Sequence, residues 1–108
     1  MWTAAGGSDY VGKPRPVVIL QDDRFDETAS ITICPLTTNP TDVPLVRPVV
    51  SPASENGLAT TSRLMADKIS TIPKASLGKR LGRLSPEDMA ALERAALTFL
   101  GFGGARSR

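Results

Sequence analysis

The chain has 108 residues, a mass of 11.4 kDa and a formal net charge of +2, which fits one domain with one modest core. It contains no histidine and one cysteine, Cys34, which excludes an intramolecular disulfide, a multi-cysteine zinc site and histidine-dependent nucleophile pairs. No apolar run approaches the ~20 residues of a membrane-spanning helix and no N-terminal secretion signal is recognisable, so we expect no membrane partner. If the protein is an enzyme, we expect it to use neither histidine nor a transition metal.

Basic residues are concentrated in the second half of the chain. Residues 1–57 carry a net charge of −3, from four Lys/Arg against seven Asp/Glu, and residues 58–108 carry +5, from nine against four. This imbalance suits a polyanionic partner, but it also suits the solvated face of an ordinary basic protein. Charge alone leaves both interpretations open.

The first half of the sequence predicts short strands joined by loops. A short apolar segment, Met1–Ala5, is followed by a Gly-rich polar loop. The β-branched run Val17–Leu20 is typical of a buried strand, and Ser30–Thr37 alternates polar and apolar residues as a half-buried strand does. Pro35 lacks an N–H, so it should lie at an edge, at a bulge or where its strand leaves a neighbour. Leu45–Val50 predicts a third strand.

Two further strands are predicted in the second half. Ser62–Ile72 alternates imperfectly, which indicates one strand with a bulge near Lys68. Leu77–Leu84 predicts a short final strand.

The pattern then changes to that of a helix. Ser85 is a typical N-cap before Pro86, and Gly101 is a typical stop. Residues 103–108 are expected to form a flexible tail after a domain that spans residues 1–102. Several antiparallel strands followed by one helix predict a small α+β or β-barrel-like fold. The expected apolar face of the helix consists of Met89, Leu92, Ala96, Phe99 and Leu100.

Few residues are candidates for chemistry. The acids between Asp22 and Glu27 lack the alternation of a calcium loop and predict a solvated turn, and Cys34 predicts a small buried hydrophobe. No Gly-rich nucleotide-binding motif is present. The remaining candidates are Arg15, Thr37 and the Asp67-Lys68 pair, although a surface cation, a turn cap and solvated charges would also explain them.

Four strings, taken in order, resemble the MazF/PemK family of type II toxin–antitoxin toxins. They are GKPRPVVIL at 12–20, ICPLTT at 33–38, NGL and SRLMADKISTI within 56–72, and LGRLS at 81–85 with the helix end FLGF. The resemblance runs from about Trp2 to Phe102. It implies a mainly β fold with a C-terminal helix, built as a small SH3-like barrel, and a homodimer.

The resemblance also implies an activity. Members of this family are mainly ribosome-independent endoribonucleases that cut single-stranded mRNA at short sequences and arrest growth. Cleavage leaves a 2′,3′-cyclic phosphate and a 5′-hydroxyl, because the nucleophile is the 2′-OH of the RNA, and needs neither a metal nor a cofactor. The implied partner in the cytoplasm is a cognate antitoxin whose disordered acidic tail blocks the RNA groove. DNA would be bound only indirectly, through the antitoxin complex.

Residue by residue, Arg15 matches the catalytic arginine of the family and Thr37 its active-site threonine. An arginine stays protonated, so Arg15 would stabilise negative charge on the phosphoryl oxygens, and Thr37 would donate a hydrogen bond to them. Asp9 is the candidate general base, although its spacing to Arg15 is one residue longer than in the family. The positions implied to contact RNA are Ser8, Lys13, Thr38, Asp67 and Lys68.

Two alternatives remain open. A related toxin type with the same fold poisons gyrase by protein contact, because fold does not fix function. Its aromatic-glycine-apolar ending is not matched here, since Phe102 and two glycines are followed by a polar tail. The second alternative is an inactive member, because the segment Met1–Ala5 lacks the basic residue and Gly-Asp that precede the first strand in the family.

Overall fold

The computed structural model describes residues 1–5, 14–41 and 43–102. The predictions for Ser8, Asp9, Lys13 and the tail 103–108 therefore lie outside the described residues. The strands are β1 (Trp2–Ala4), β2 (Arg15–Ile19), β3 (Ser30–Thr37), β4 (Val49–Val50), β5 (Ser62–Leu64), β6 (Ser70–Pro73) and β7 (Leu77–Arg80), followed by one helix, α1 (Pro86–Leu100). No helix among the described residues is long and apolar enough to cross a membrane.

The strands form one seven-stranded sheet with antiparallel neighbours. Its order is β4-β5-β3-β2-β1-β7, and β6 pairs with β3 beside this path. The prediction of a mainly β fold with a C-terminal helix is confirmed. Within the described strands the sheet does not close on itself, so the SH3-like barrel is an approximate description.

Two apolar clusters lie on opposite sides of the sheet. Because adjacent side chains on a strand point to opposite faces, neighbouring residues belong to different clusters. Val18, Cys34, Leu36 and Leu64 belong to the first cluster, which also contains the buried helix residues Leu92 and Ala95. Each fully buried Leu of this cluster contributes about 1.5–3 kcal/mol. The second cluster, on the other face, is formed by Ala4, Val17, Ile31 and Ile33. The helix thus covers one face of the sheet. The candidate residues Arg15 and Thr37 lie at one end of β2 and β3, toward the other face.

Strand β3 lies between β2 on one side and β5 and β6 on the other. On the second side, its partner changes from β6 to β5 at Pro35. On one side, β3 pairs with β6 through Ile33 and with β5 from Leu36 onward. The Pro35 carbonyl accepts a hydrogen bond from the Met65 N–H at 2.9 Å, so the proline nitrogen faces the gap between β6 and β5. The missing N–H costs no ladder bond there, which confirms the prediction that Pro35 lies where its strand leaves a neighbour.

Three predicted strands differ from the structure. The strand predicted at Leu77–Leu84 ends at Arg80. Leu45–Val50 is a strand only at Val49–Val50, because Pro44 starts a tight turn in which the Val46 and Arg47 N–H groups both bond to the Val43 carbonyl. Ser62–Ile72 contains two strands, β5 and β6, separated by a 3₁₀ turn at Ala66–Lys68. The prediction of one bulged strand was wrong because this turn is fixed by contacts from distant segments: the Ala66 N–H bonds to the Val46 carbonyl at 3.0 Å.

The capping prediction for α1 is confirmed at both ends. The Ser85 side chain accepts a hydrogen bond from the Asp88 N–H, and Gly101 ends the helix with φ 75°. The predicted apolar face is correct near its middle, where Leu92 is buried, but wrong at its end. Phe99 and Leu100 are 51% and 43% exposed, and the second buried helix residue is Ala95 rather than Ala96.

Candidate active site

Arg15 and Thr37 lie at the same end of two paired strands. Arg15 is the first residue of β2 and Thr37 the last of β3. The last observed pair of β2 and β3 at this end is Val17 with Pro35, so Arg15 and Thr37 each lie two residues beyond it. The structure therefore places the two residues to which the resemblance assigns catalysis at the same end of neighbouring strands.

The Thr37 hydroxyl has a fixed oxygen. Its Oγ1 accepts a hydrogen bond from the Asn39 N–H at 3.1 Å, which forms a local turn where the chain leaves β3. A hydroxyl that accepts one bond in this way can still donate its hydrogen to a second group. Thr37 is half-buried, whereas Thr38 and Arg15 are exposed, so the guanidinium lies in reach of a large polar substrate.

The segment that contains Ser8, Asp9 and Lys13 joins the sheet at this same end. Ala4 of β1 pairs with Arg15 of β2, and residues 5–14 connect these two paired residues. The connection itself lies largely outside the described residues.

Sequence reasoning missed Arg63, which lies on β5 directly opposite Thr37. Its neighbours Ser62 and Leu64 are buried, at 3% and 0% exposure. Since Leu64 pairs with Leu36 in the cluster beneath α1, Arg63 and Thr37 face the other side of the sheet. The sequence shows a cation between two positions whose side chains point into the core. It does not show that Arg63 lies opposite Thr37, because that depends on strand register.

Asp67 and Lys68 lie outside strands β2, β3 and β5, on the 3₁₀ turn between β5 and β6. Arg47 binds both oxygens of the Asp67 carboxylate, with Nε–Oδ1 and Nη2–Oδ2 distances of 3.0 and 2.9 Å. These hydrogen bonds lower the pKa of Asp67 and raise the pKa of Arg47. Asp67 therefore ties the turn to the segment that precedes β4, whereas Lys68 is exposed. Arg47 is the second residue that sequence reasoning missed.

Other chemistry finds little support in the described parts of the chain. Cys34 is fully buried and desolvation raises the pKa of its thiol to about 12, so the thiolate needed for nucleophilic attack does not form near neutral pH. The prediction of a small buried hydrophobe is confirmed. Asp22 caps a 3₁₀ turn at Asp23–Phe25 in an exposed segment, as the solvated turn predicted. Among the described residues, no three His, Cys, Asp or Glu side chains are grouped to hold a metal ion.

A cavity of about 600 Å³ lies elsewhere, at the opposite end of β2. It is lined in part by Leu20, Arg80, Arg83 and Met89, and neither Arg15 nor Thr37 reaches it. The side chains of Arg15, Thr37 and Arg63 lie instead on the surface of the sheet, where they are exposed or half-buried. Such an open surface suits an extended polymer better than an enclosed small molecule.

Comparison with known proteins gives consistent results for nearly the whole chain. Residues 2–100 match the family described as PemK-like, MazF-like toxin of type II toxin–antitoxin system. The sequence is 53% identical over 104 residues to a probable endoribonuclease MazF of Mycolicibacterium smegmatis, covering 96% of this chain and 95% of that protein.

Solved structures agree with this match. The Mycobacterium tuberculosis toxin MazF-mt6 superposes with a TM-score of 0.75 at 26% identity, covering 94% of this chain and 97% of that one. A mycobacterial endoribonuclease in complex with its cognate antitoxin gives a TM-score of 0.74 at 26% identity, covering 96% and 93%. MazF from Deinococcus radiodurans, at 18% identity and a TM-score of 0.70, shares the fold.

Proposed function

The chain belongs to the PemK-like, MazF-like toxins of type II toxin–antitoxin systems, and from this premise we propose that it cuts single-stranded mRNA at short sequences. It is an endoribonuclease of this family, and its expected biological effect is growth arrest. The observation that supports the proposal is that Arg15 begins β2 and Thr37 ends β3, at the same end of two neighbouring antiparallel strands.

The proposed reaction is an in-line transfer within the RNA. The 2′-oxygen attacks the adjacent phosphorus, the bond from phosphorus to the 5′-oxygen breaks, and the products end in a 2′,3′-cyclic phosphate and a 5′-hydroxyl. Negative charge grows on the non-bridging oxygens during attack. The Arg15 guanidinium offers a planar fork of donors to these oxygens, and the Thr37 hydroxyl adds one hydrogen bond.

Proton transfer completes the reaction. One proton leaves the 2′-OH, and the departing 5′-oxygen takes one proton from solvent water. Arg15 keeps its own proton and Thr37 is too weakly basic, so we assign removal of the first proton to Asp9. The substrate brings the nucleophile and Arg15 brings the positive charge, so the proposed reaction uses no cofactor.

RNA contacts extend beyond the reacting phosphate. The exposed Lys68 and Thr38 would contact the RNA backbone, together with Ser8 and Lys13 from the segment between β1 and β2. Arg47 donates one hydrogen bond to each oxygen of the Asp67 carboxylate. Each of these oxygens keeps a second lone pair, which could accept a hydrogen bond from an RNA base.

The proposed protein partner is a cognate antitoxin in the cytoplasm, as in the solved complex of the mycobacterial relative. A disordered acidic tail would compete with RNA for Arg15, Lys13 and Lys68. DNA would be bound only through that complex. Adding the antitoxin should abolish RNA cleavage at a one-to-one ratio, and cleavage that persists at excess antitoxin would contradict this partner.

We also propose a homodimer. Leu45, Leu97 and Leu100 are 74%, 50% and 43% exposed, and a shallow groove joins the Leu45 segment to α1. Apolar surface of this kind favours burial in an interface. Light scattering should give twice the chain mass for the wild type, and a monomer at all concentrations would contradict the proposal.

The decisive experiment incubates the purified protein with a long RNA in EDTA and maps the new ends. Cuts at a short repeated motif with 5′-hydroxyl ends, lost in Arg15→Ala and Thr37→Ala, are expected. Intact RNA at high protein concentration would overturn the proposal in favour of a binding toxin or an inactive member. The matched control is Arg24→Ala, which removes the same charge from the exposed 3₁₀ turn at Asp23–Phe25.

A further inference from the structure

We propose that the cavity at the opposite end of β2 from Arg15 binds a free nucleoside monophosphate, with its phosphate on Arg80 and Arg83 and its base toward Asp23. The cavity has a volume of about 600 Å³, which lies within the range of small-molecule sites in proteins. Of the residues described, neither Arg15 nor Thr37 lines it. The inference therefore concerns a second site and does not depend on the proposed cleavage of RNA.

The basic wall of the cavity is formed by two arginines. Arg80 is the last residue of β7, and Arg83 lies in the segment between β7 and α1. In the described part of the chain, no hydrogen bond or ion pair engages either guanidinium. Burial lowers the pKa of the Met1 amino group and the charges of Arg80 and Arg83 lower it further, so both guanidinium groups lie close to the same point of the lining. Two converging guanidinium groups suit a dianion such as a phosphate monoester, because each can donate two parallel hydrogen bonds to its oxygens.

The middle of the cavity is lined by apolar side chains. Trp2 belongs to β1, Leu20 follows β2 and Met89 lies in the first turn of α1. All three are half-buried, so part of each side chain remains open to a ligand. A flat aromatic ring such as the Trp2 indole can stack on any nucleobase, because every base has a π-face. The cavity thus offers an apolar place for a base beside the place for a phosphate.

An acid lies on the wall away from the arginines. Asp23 follows β2 and Arg80 ends β7, and β1 lies between these two strands in the sheet. Neighbouring strands are about 4.8 Å apart, so β2 and β7 are about 10 Å apart. A carboxylate repels phosphate but accepts a hydrogen bond from the amino group of cytosine. A nucleoside monophosphate carries its anion and its base at opposite ends, as this order of side chains requires.

The test uses Trp2, the only tryptophan of the chain, as the reporter. Cytidine monophosphate is titrated into the full chain at low ionic strength, and tryptophan emission is corrected for absorption by the nucleotide. We expect a saturable change in emission, with calorimetry of the same titration giving the same Kd. Arg80→Gln and Arg83→Gln should each weaken binding about tenfold, as expected for loss of one charge-assisted contact.

The matched control is Lys79→Gln, which removes one positive charge from the same strand as Arg80. Adjacent side chains on a strand point to opposite faces, and of the residues described Lys79 does not line the cavity. Its loss should change the affinity by less than about twofold. A weakening equal to that of Arg80→Gln would reduce the effect to net charge and overturn the assignment of the arginines.

Uridine monophosphate tests the orientation of the base. It carries a carbonyl where cytosine carries the amino group, so it should bind about tenfold more weakly than cytidine monophosphate. Asparagine can both accept and donate a hydrogen bond, so Asp23→Asn should reduce this difference to less than about twofold. A difference that survives in Asp23→Asn would contradict the placement of the base.

Three other results would overturn the proposal. The first is no heat and no saturable emission change at millimolar cytidine monophosphate. The second is equal affinity for inorganic phosphate and both nucleotides, which would indicate an anion site without a place for a base. The third is displacement of the nucleotide by a short single-stranded RNA of higher affinity, which would assign the cavity to the RNA. Because none of these measurements uses cleavage, the proposed endoribonuclease and this site can each fail without the other.

Discussion

Replacing Arg47 with methionine removes both hydrogen bonds that hold the Asp67 carboxylate while keeping a long side chain over the same surface. The two side chains are 16% and 21% exposed. Exposed ion pairs contribute about 0–1 kcal/mol, and breaking a buried pair costs about 3–5 kcal/mol. A bidentate pair at this intermediate burial should contribute about 2 kcal/mol. For a domain of this length, that lowers the melting temperature by about 8 °C.

The pH dependence follows from the lowered pKa of Asp67. Because the folded carboxyl has a lower pKa than the unfolded one, the stabilisation is complete above the unfolded value of about 3.9. It is lost as the pH falls from there through the folded pKa. The difference between wild type and Arg47→Met should therefore be constant near neutral pH and should shrink below pH ~4.

Urea unfolding at several pH values measures this difference, and a double-mutant cycle with Asp67→Asn isolates the coupling of the pair. The matched control is Arg24→Met. Arg24 pairs with Asp22 at 3.1 Å, but those side chains are 79% and 53% exposed, so its loss should cost under about 0.5 kcal/mol. An Arg47→Met variant no less stable than Arg24→Met, or a difference that persists unchanged in acid, would refute the reasoning.

Three further predictions concern the fold. The buried Cys34 thiol, with its pKa near 12, should resist alkylation at pH 8 in the folded protein and react promptly in urea; equal rates in both would contradict its burial. Ser85→Ala should lower the free energy of unfolding by about 1 kcal/mol, because the Asp88 N–H loses its cap, whereas Ser85→Asp should not. Gly57→Ala should cost more than about 2 kcal/mol, because the residue has φ 70° and its Cβ would lie 2.3 Å from the Leu81 carbonyl oxygen; a melting temperature within 2 °C of wild type would show that this contact relaxes freely.

Local signals predicted the elements whose causes are local. Ser30–Thr37 was predicted with its observed bounds because its alternation is long and its ends are polar. The helix was predicted from Ser85 to Gly101 because capping acts within one turn of the chain. The strand predicted at Leu45–Val50 was too long, because Pro44 and Pro48 outweigh the β-strand propensity of the β-branched residues there.

Features fixed by distant contacts were beyond such signals. The turn at Ala66–Lys68 depends on hydrogen bonds to Pro35 and Val46, which lie some twenty to thirty residues earlier in the chain. A resemblance predicts Arg15 and Thr37, and the structure adds that they lie at the same end of the neighbouring strands β2 and β3. Arg63 lies opposite Thr37 only through strand register, and Arg47 reaches Asp67 only through folding of the intervening chain.

The pairing of β1 with β7 also sets the order in which this protein can be completed during synthesis. Trp2 lies opposite Arg80, so the first strand gains this partner only after all the intervening strands have been made. The helix that covers Leu36 and Leu64 follows later still. At about 5–20 residues per second, the nascent chain spends several seconds with these surfaces uncovered. A chain with this topology therefore completes its sheet only after β7 has been made.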